Sequence, residues 1–346
     1  MAKYRLGIIG CGRPWKTEGA TGFGMSHPHA RAFKACPDVE LVALADNRIE
    51  LARRFQEEHG GQNVYADYQQ MLAKERLDIV SICTWPHLHA EMTIAAAEAG
   101  VKAVHCEKPM ATTFGDAVRM ARVCRERGVQ LTFNHQRRFG APFMKARELV
   151  RSGAIGQLQR LEAQCGDMYD WGTHWFNMLC YYNDDTPVDW VIGQVDLRGG
   201  RTIFGVELEG QGLSHFKFRN GVRGLIVSGF ENGYGCDNRL IGTEGTIEVG
   251  VSGDVSLRTW HRGQTQWEVV PTSENLHGED AHGRSVADLV EALKTGREPV
   301  LGARQALAST ELVFATYESA RRGGRVDLPL TIVDSPLAGM LAKARV

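Results

Sequence analysis

Residues 7–30, GIIGCGRPWKTEGATGFGMSHPHA, decide the fold of the N-terminal part of the chain. The stretch starts as a short apolar run and continues into a Gly-x-Gly turn at Gly10 and Gly12. A strand, such a turn and a following helix together bring backbone N–H groups close to a phosphate. In the usual G-x-G-x-x-G spacing the third glycine would stand where this chain has Trp15. The motif is therefore interrupted, and we predict that residues 13–24 form an inserted loop.

The residues that follow the loop restore the pattern. Ser26 is predicted to cap a helix, and Gly22 or Gly24 takes the close-packing position of the absent glycine. The next apolar run, LVALAD, ends in Asp46, which lies 36 residues after Gly10 (46 − 10). Subtracting about a dozen inserted residues restores the usual spacing of about 20 to the acid that binds the adenosine ribose. The sequence therefore predicts a dinucleotide site, against the alternative of a tight glycine turn that binds no nucleotide.

The acid also bears on which dinucleotide is bound. The Asp46 carboxylate would repel a 2′-phosphate, which favours NAD. Arg48 follows two residues later and is able to pair with a 2′-phosphate or to lie against adenine, so NADP stays open as the alternative.

The two halves of the chain differ in their pattern. Up to about residue 135, short β-branched runs alternate with helical stretches, which is typical of a parallel sheet with helices on both faces. Beyond Gly140 several alternating strands follow one another, and helices return mainly near the end. We predict an α/β protein with an N-terminal Rossmann domain, a doubly wound parallel sheet, at residues 1–135. Residues 136–346 are predicted to be an α+β domain with a large, mostly antiparallel open sheet.

The composition limits the classes of partner and the compartment. The chain of 346 residues has 40 Lys and Arg against 41 Asp and Glu, a balance that argues against nucleic acid or an anionic membrane surface as the main partner. No apolar run approaches the roughly 18 residues of a membrane span. Eight cysteines occur without a C-x-x-C pair, which favours reduced thiols and a cytoplasmic protein. The stretch LHGEDAH contains His277, Asp280 and His282, but its spacing matches no strong ligand pattern, so no metal is predicted.

Two later strands end in residues that suit a cofactor crevice. The stretch TWPHLH offers Thr84, Pro86 and His89, and the stretch HCEKPM offers Glu107 and Lys108. Ligands bind at the carboxyl ends of parallel strands, so these residues are predicted to face the cofactor. For His89 the alternative is that it only packs or caps a helix. The ammonium group of Lys108 is suited to hold a substrate hydroxyl and the negative charge that grows on its oxygen.

A polar stripe marks the segment 169–182, YDWGTHWFNMLCYY. On a helix Asp170, His174, Asn177 and Tyr181 share one face, while most other positions are apolar. Histidine titrates closest to neutral pH and is suited to take the hydroxyl proton as the carbon loses hydride. Asp170 would then orient the imidazole or hold a neighbouring hydroxyl. The competing interpretation is a structural histidine.

Three further residues are predicted to touch the substrate. Trp15 and Trp171 offer aromatic faces that suit the C–H faces of sugar rings, although such residues also pack cores. Arg138, beside Arg137, is able to bind a substrate carboxylate through two parallel hydrogen bonds, with a domain-bridging salt bridge as the alternative.

Taken in order, these motifs resemble the glucose–fructose oxidoreductase/inositol dehydrogenase (Gfo/Idh/MocA) family. The resemblance implies a C-terminal sheet that often serves oligomerisation, here as a homodimer or homotetramer. It also implies Lys108, Asp170 and His174 as the catalytic group, acting on sugars, polyols or their acids. Two departures are the long loop 13–24 and Asn177, a predicted substrate contact at a position where many relatives carry Asp. The motifs are Gly10-Cys11-Gly12, Asp46, Thr84/Pro86/His89, Glu107-Lys108-Pro109, Asp170-x-Gly172-x-His174, GTEGTIEV (242–249), LVEALKTGREPV (289–300) and YESARRGGRVDLPL (317–330).

Three functions are compatible with these residues. The leading hypothesis is an NAD(P)-dependent dehydrogenase or reductase for a secondary hydroxyl of a sugar or polyol. The second is a glycosidase- or lyase-like enzyme in which tightly bound NAD oxidises the sugar only transiently, with no net redox change. The third is a regulator that senses nucleotide without catalysis, against which the proton-relay residues speak.

Overall fold

The computed structural model describes residues 3–229, 235–251, 255–278 and 280–345. The chain divides into two compact units. The first consists of Met1–Gln136 and His282–Leu307, and the second of Arg137–Ala281 and Ala308–Val346. In the described residues no helix is both long enough and apolar enough to span a bilayer.

The first unit contains a parallel sheet of six strands in the order β3-β2-β1-β4-β5-β6. The strands β4 and β5 are buried along their whole length, because helices cover both faces of such a sheet. This confirms the predicted Rossmann sheet. Its strands are β1 (Tyr4–Ile9), β2 (Val39–Ala45), β3 (Asn63–Tyr65), β4 (Ile79–Ile82), β5 (Ala103–Cys106) and β6 (Gln130–Phe133). The helices between them are α1 (Ser26–Ala35), α2 (Ile49–His59), α3 (Tyr68–Lys74), α4 (Pro86–Glu98) and α5 (Phe114–Glu126).

The helix starts in this unit follow local capping chemistry, with one correction. The side chains of Asp67 and Thr113 accept hydrogen bonds from the first turns of α3 and α5. Ser26, predicted as the cap of α1, is instead its first residue, and Met25 precedes it without a side-chain cap. Backbone bonds take over this function, since the N–H of His27 donates to Gly24 O at 3.0 Å.

The second unit is built around a mixed sheet in the order β16-β15-β14-β13-β7-β12-β11-β8-β17. Its strand pairs are antiparallel except β7 with β12, which confirms the predicted mostly antiparallel sheet. The remaining helices are α6 (Ala141–Arg151), α7 (Gly172–Tyr182), α8 (Asp280–Thr295), α9 (Ala303–Arg322) and α10 (Pro336–Ala344). The strands are β7 (Leu158–Cys165), β8 (Val188–Asp196), β9 (Thr202–Ile203), β10 (Val206–Glu207), β11 (Gln211–Phe218), β12 (Arg223–Ser228), β13 (Cys236–Gly242), β14 (Gly245–Val251), β15 (Leu257–His261), β16 (Glu268–Val269) and β17 (Val326–Asp327).

The segment His282–Leu307 belongs to the first unit although it lies far along the sequence. Apolar residues of α8, Leu289 among them, are buried in the same cluster as Leu6 of β1. The backbone N–H of Phe133 at the end of β6 donates to Leu301 O at 3.0 Å. The sequence analysis placed residues 282–307 in the predicted domain of residues 136–346, because helix periodicity does not show which of two cores a helix covers.

Candidate active site

The turn after β1 is shaped by its two glycines. Gly10 has a φ of 90°, and a Cβ placed there would lie 2.7 Å from the carbonyl oxygen of Cys83. Gly12 has no positive φ, and a Cβ added there would meet no atom within 4 Å. The first glycine therefore permits the tight turn, and the second leaves open space beside the backbone. Both properties are those that a phosphate-binding turn needs.

The inserted loop of residues 13–24 closes on itself. Arg13 Nη1 donates to Glu18 O at 2.5 Å. Gly24 has a φ of 62°, and a Cβ there would lie 2.5 Å from Arg13 O, so Gly24 takes the close-packing position predicted for Gly22 or Gly24. Trp15 is 54% exposed, with its ring 4.8 Å from that of Phe23. The loop thus presents an exposed aromatic pair.

The carboxyl ends of β1, β4 and β5 are neighbours at one edge of the sheet, because these strands are adjacent and parallel. Thr84 follows β4 there, and its hydroxyl lies 3.5 Å from the sulfur of Met92. Pro86 begins α4 and is buried.

His89 is fully buried in the first unit and lies between two backbone carbonyls. Its Nδ1 is 2.8 Å from Pro109 O, and its Nε2 is 3.0 Å from Thr84 O. Burial lowers the pKa of the ring, so it is neutral and donates to one of the two carbonyls. The ring holds the loop after β4 to the loop after β5. The surroundings of His89 therefore favour the packing interpretation over a direct cofactor contact.

Glu107, at the end of β5, is the centre of a buried polar cluster that the sequence did not predict. His29 Nε2 lies 2.8 Å from Glu107 Oε1, and Asn134 Nδ2 donates to the same oxygen at 2.6 Å. Burial alone would raise the pKa of Glu107, but His29, Lys108 and Asn134 lower it to about 2. Burial alone would lower the pKa of His29, but the sulfur of Cys83 and the Glu107 carboxylate raise it to about 10.

These opposite shifts predict how the cluster contributes to stability. Ionised Glu107 adds its full share to the free energy of unfolding when the pH is above 4.5, the ordinary pKa of a glutamate, and this share is lost as the pH falls toward about 2. Protonated His29 adds its full share to the free energy of unfolding below pH 6.5, and this share is lost as the pH rises toward about 10. Between about pH 5 and pH 6.5 we expect Glu107→Gln to lower the free energy of unfolding by roughly 3 kcal/mol.

Urea unfolding across this pH range measures the effect, with Glu98→Gln on the exposed face of α4 as the matched control. The control should follow the wild-type curve. Parallel curves for wild type and Glu107→Gln at all pH values would contradict the assignment of the pair.

Lys108 follows Glu107 directly, and the peptide bond between Lys108 and Pro109 is cis. The backbone N–H of Lys108 donates to Glu107 Oε2 at 3.2 Å. The side chain of Lys108 is half-buried, whereas Glu107 and Pro109 on either side are buried. Glu107, predicted as a cofactor contact, is thus placed to fix the backbone of Lys108.

The turn before α7 is fixed by a residue that the sequence analysis missed. Asp167 is fully buried, and its Oδ1 accepts the N–H groups of Asp170 at 2.5 Å and Trp171 at 3.2 Å. Arg201 Nη2 donates to its Oδ2 at 2.7 Å. Asp167 lies three residues before Asp170, a spacing at which an Asp side chain can accept the backbone N–H groups of a turn. The sequence therefore did carry a signal for this cap. Asp170 therefore lies in this turn and not on α7, which begins at Gly172.

His174 lies in the first turn of α7 and is buried. Its backbone N–H donates to Trp171 O at 3.1 Å, and the two rings are 6.5 Å apart, edge to face. Asp170 and His174 belong to the second unit and Lys108 to the first. Their convergence on one substrate stays a prediction.

Arg137 forms a cation–aromatic stack in the second unit. Its guanidinium carbon lies 5.1 Å from the ring centre of Trp171 and 5.0 Å from that of Trp175. Burial lowers the pKa of Arg137 to about 10, although the carboxylates of Asp237 and Asp170 oppose this. Burial raises the pKa of Asp237 to about 6. The Arg137 guanidinium thus lies against the Trp171 ring. Sequence periodicity did not indicate this contact.

Arg138 is buried and forms a salt bridge within the second unit. Its Nη1 and Nη2 donate to the Asp185 carboxylate at 2.9 and 2.7 Å, and its Nε donates to Asn177 Oδ1 at 2.6 Å. The amide of Asn177 also donates to Ser309 Oγ at 3.3 Å. Arg138 and Asn177, predicted to contact substrate, join α7 to neighbouring segments of the second unit, and a substrate contact stays a prediction. The salt bridge of Arg138 lies within this unit and is not the domain-bridging one that was the alternative.

Comparison with known proteins places this chain in a family. Residues 4–135 match the profile of the Gfo/Idh/MocA family, described as an oxidoreductase family with an NAD-binding Rossmann fold. The dTDP-3,4-didehydro-2,6-dideoxy-alpha-D-glucose 3-reductase of Streptomyces violaceoruber is 31% identical over 63% of this chain and 67% of that protein. The chain belongs to this family. It is an NAD(P)-dependent dehydrogenase or reductase acting on CH–OH groups.

Two further matches cover nearly the whole Gfo/Idh/MocA chain. The D-apiose dehydrogenase of Paraburkholderia graminis is 26% identical, and the match spans 97% of this chain and 92% of that enzyme. The crystal structure of an aldose-aldose oxidoreductase from Caulobacter crescentus superposes with a TM-score of 0.77 at 24% identity. It covers 94% of this chain and 100% of its own, and at this identity it supports the fold.

The residues of the first unit fit the NAD that this family binds. Asp46 follows β2 and is half-buried, with Oδ2 accepting the N–H of Cys11 at 2.8 Å and Oδ1 that of Arg48 at 2.9 Å. A carboxylate has about four acceptor positions, so two remain for ribose hydroxyls. The space beside Gly12 accommodates a pyrophosphate. The Arg48 side chain is exposed at the start of α2.

The two glycines give a sharp test of this fit. Gly10→Ala is expected to lower both stability and NAD affinity, because the new Cβ meets the Cys83 carbonyl and a positive φ costs an L-residue about 1–3 kcal/mol. Gly12→Ala is expected to leave the thermal midpoint unchanged and to weaken NAD binding alone, because its Cβ meets no protein atom. Thermal unfolding and NAD titration measure the two effects. Equal NAD affinity in Gly12→Ala and wild type would contradict this placement.

Proposed function

We propose that this enzyme transfers hydride between NAD and a secondary hydroxyl or ketone of a sugar, polyol or sugar derivative. The observation that carries the proposal is the position of Lys108. It follows β5 at the sheet edge where the Gly10 turn follows β1, next to the intervening strand β4. The relatives of this chain include enzymes named D-apiose dehydrogenase and myo-inositol 2-dehydrogenase, which supports a polyhydroxylated substrate.

In the proposed mechanism each of three side chains has one task. A bound NAD would supply the acceptor for the hydride of the substrate carbon. His174 removes the hydroxyl proton as that hydride leaves. Lys108 holds the same oxygen and stabilises the negative charge that develops on it. Asp170, in the turn capped by Asp167, holds a neighbouring hydroxyl or orients His174.

Substrate contacts outside this group are proposed for the aromatic residues. Trp15, exposed on the inserted loop, offers a face for the C–H side of a sugar ring. Trp171 supplies a second ring, one face of which stacks on Arg137. Asp46 favours NAD, and the exposed Arg48 keeps NADP as the second cofactor to be compared.

The large sheet suggests how copies assemble. Ile192 of β8 and Leu213 of β11 are both more than a third exposed, and their strands are paired. We propose that this face joins two copies as a homodimer, or as part of a homotetramer. Light scattering tests this, because it measures the mass of the assembly in solution. The eight free cysteines support a cytoplasmic location, and fractionation of cells tests it.

A panel of aldoses, branched pentoses, inositols and glucosides, each with NAD and with NADP, tests the proposed function. The absorbance of the reduced nicotinamide gives kcat/KM for each pair. We expect net NADH formation with at least one polyhydroxylated alcohol, and a preference for NAD over NADP. A glycoside that is cleaved without net NADH would overturn the proposal in favour of transient oxidation.

A further inference from the structure

Three potential metal ligands meet beside the phosphate-binding turn. His27 of α1 and His59, the last residue of α2, are buried, while the Glu58 side chain is 51% exposed. His27 Nδ1 lies 2.7 Å from His59 Nε2. Glu58 Oε1 lies 3.3 Å from the first of these atoms and 3.2 Å from the second. Within the described residues this is the one such group of His, Cys, Asp and Glu side chains.

The hydrogen bond on the far side of His27 fixes the protons in this group. His27 Nε2 lies 3.0 Å from Gly12 O. A carbonyl oxygen only accepts, so Nε2 carries the hydrogen and donates it. In the neutral ring Nδ1 then presents a lone pair to His59 Nε2 and to Glu58 Oε1. With a hydrogen on His59 Nε2 the other two atoms, His27 Nδ1 and Glu58 Oε1, are both acceptors, so two acceptors share one hydrogen.

A divalent transition-metal ion satisfies all three atoms at once. Two imidazole nitrogens and one carboxylate oxygen form a ligand set that Zn²⁺ takes at about 2.0–2.2 Å in tetrahedral geometry. Such bonds place neighbouring ligand atoms about 3.3 Å apart. Two of the three distances already have this value, and the third requires the two rings to separate by about 0.6 Å.

We propose that His27, Glu58 and His59 form a binding site for a divalent transition-metal ion of the Zn²⁺ class. The exposed side of Glu58 leaves the fourth ligand position to water. The bond from His27 to Gly12 O is the outer contact that orients a metal-bound imidazole. The ion therefore connects α1 and α2 to the carbonyl of the phosphate-binding turn.

The sequence analysis predicted no metal and considered only His277, Asp280 and His282. His277 and Asp280 belong to the second unit and His282 to the first, and Glu279 lies outside the described residues. The newly identified group was not readable from the sequence, because His27 is 32 residues from His59.

The test uses the full chain, stripped with a chelator, and Zn²⁺ alone without nucleotide. Titration calorimetry should show one Zn²⁺ per chain for wild type and for the control His277→Gln. Glu58→Gln and His59→Gln should weaken binding at least as much as the roughly 10- to 100-fold that loss of an outer contact costs. Because Glu58 is half-exposed, its replacement keeps the fold intact even if a histidine variant does not. Zn²⁺ should raise the thermal midpoint of wild type and not that of Glu58→Gln.

Cobalt substitution separates this site from the eight thiols. Co²⁺ bound by nitrogen and oxygen in tetrahedral geometry gives visible bands without the intense near-ultraviolet band of a thiolate ligand. That spectrum, lost in Glu58→Gln, is the expected result. A thiolate band, unchanged Zn²⁺ affinity in Glu58→Gln, or no saturable binding by wild type would each overturn the proposal.

Discussion

Lys108→Met should lower kcat/KM about 10²- to 10³-fold and leave the affinity for NAD within about threefold of wild type. Lys108 is half-buried at the carboxyl end of β5, and its backbone is tied to the Glu107 carboxylate. Methionine keeps the length and the apolar stem but removes the charge that holds the substrate oxygen. The loss corresponds to roughly 3–4 kcal/mol of transition-state stabilisation.

The chain offers a matched control at the other end of the same strand. Lys102 directly precedes β5, and its ammonium pairs with Asp78 at 2.9 Å on the surface. Lys102→Met also removes one positive charge beside β5, yet it is expected to keep kcat/KM near that of wild type. Steady-state rates and NAD titrations of both variants distinguish a local role from a general effect of charge. If Lys108→Met were as active as Lys102→Met, the assignment of Lys108 would fail.

The glycine turn and the strand pattern made the first unit predictable. The short β-branched runs YRLGII (4–9), AVHC (103–106) and QLTF (130–133) predict strands with the bounds found for β1, β5 and β6. Buried parallel strands are short and mostly apolar, so such runs are a clear signal. The strand β3 and the helix α3 were missed, because Asn63–Tyr65 is only three residues long and has no apolar run. In the second unit β13 was missed for a different reason. Its sequence CDNRLIG hides the alternation, because Asn238 is buried, with its Oδ1 accepting from the hydroxyl of Tyr182 at 3.1 Å.

The sequence indicated which residue types carry chemistry but not which of them pair with one another. Glu107 and His29 are 78 residues apart, and Arg138 and Asp185 are 47 apart, so no local pattern links them. In both cases a charged residue that was predicted to contact cofactor or substrate forms an internal ion pair. A buried charge without a partner is costly, so residues of this kind are fixed by tertiary contacts. The strand pattern predicts the backbone position of a residue at a strand end, such as Lys108, whereas the partner of a long polar side chain is set by tertiary contacts.

His174→Gln should lower kcat about 10²- to 10⁴-fold, because the amide cannot take the hydroxyl proton. The imidazole lies in the first turn of α7, whose preceding turn is capped by Asp167. NAD affinity and the thermal midpoint should stay near wild type, since glutamine is similar in size. The ionisation that the wild-type pH–rate profile assigns to the base should also disappear.

His261→Gln serves as the control, because His261 lies on β15 of the same unit and takes no part in the proposed chemistry. An equal fall in both variants would point to a general loss of structure. Asp167→Asn tests the positioning of the site separately. It weakens the charge-assisted bonds to the N–H groups of Asp170 and Trp171 and the pair with Arg201, while His174 itself is kept. We expect a smaller fall in kcat than in His174→Gln, with the basic ionisation still present in the pH profile. A full loss of that ionisation in Asp167→Asn, with no loss in His174→Gln, would assign the proton transfer to another group.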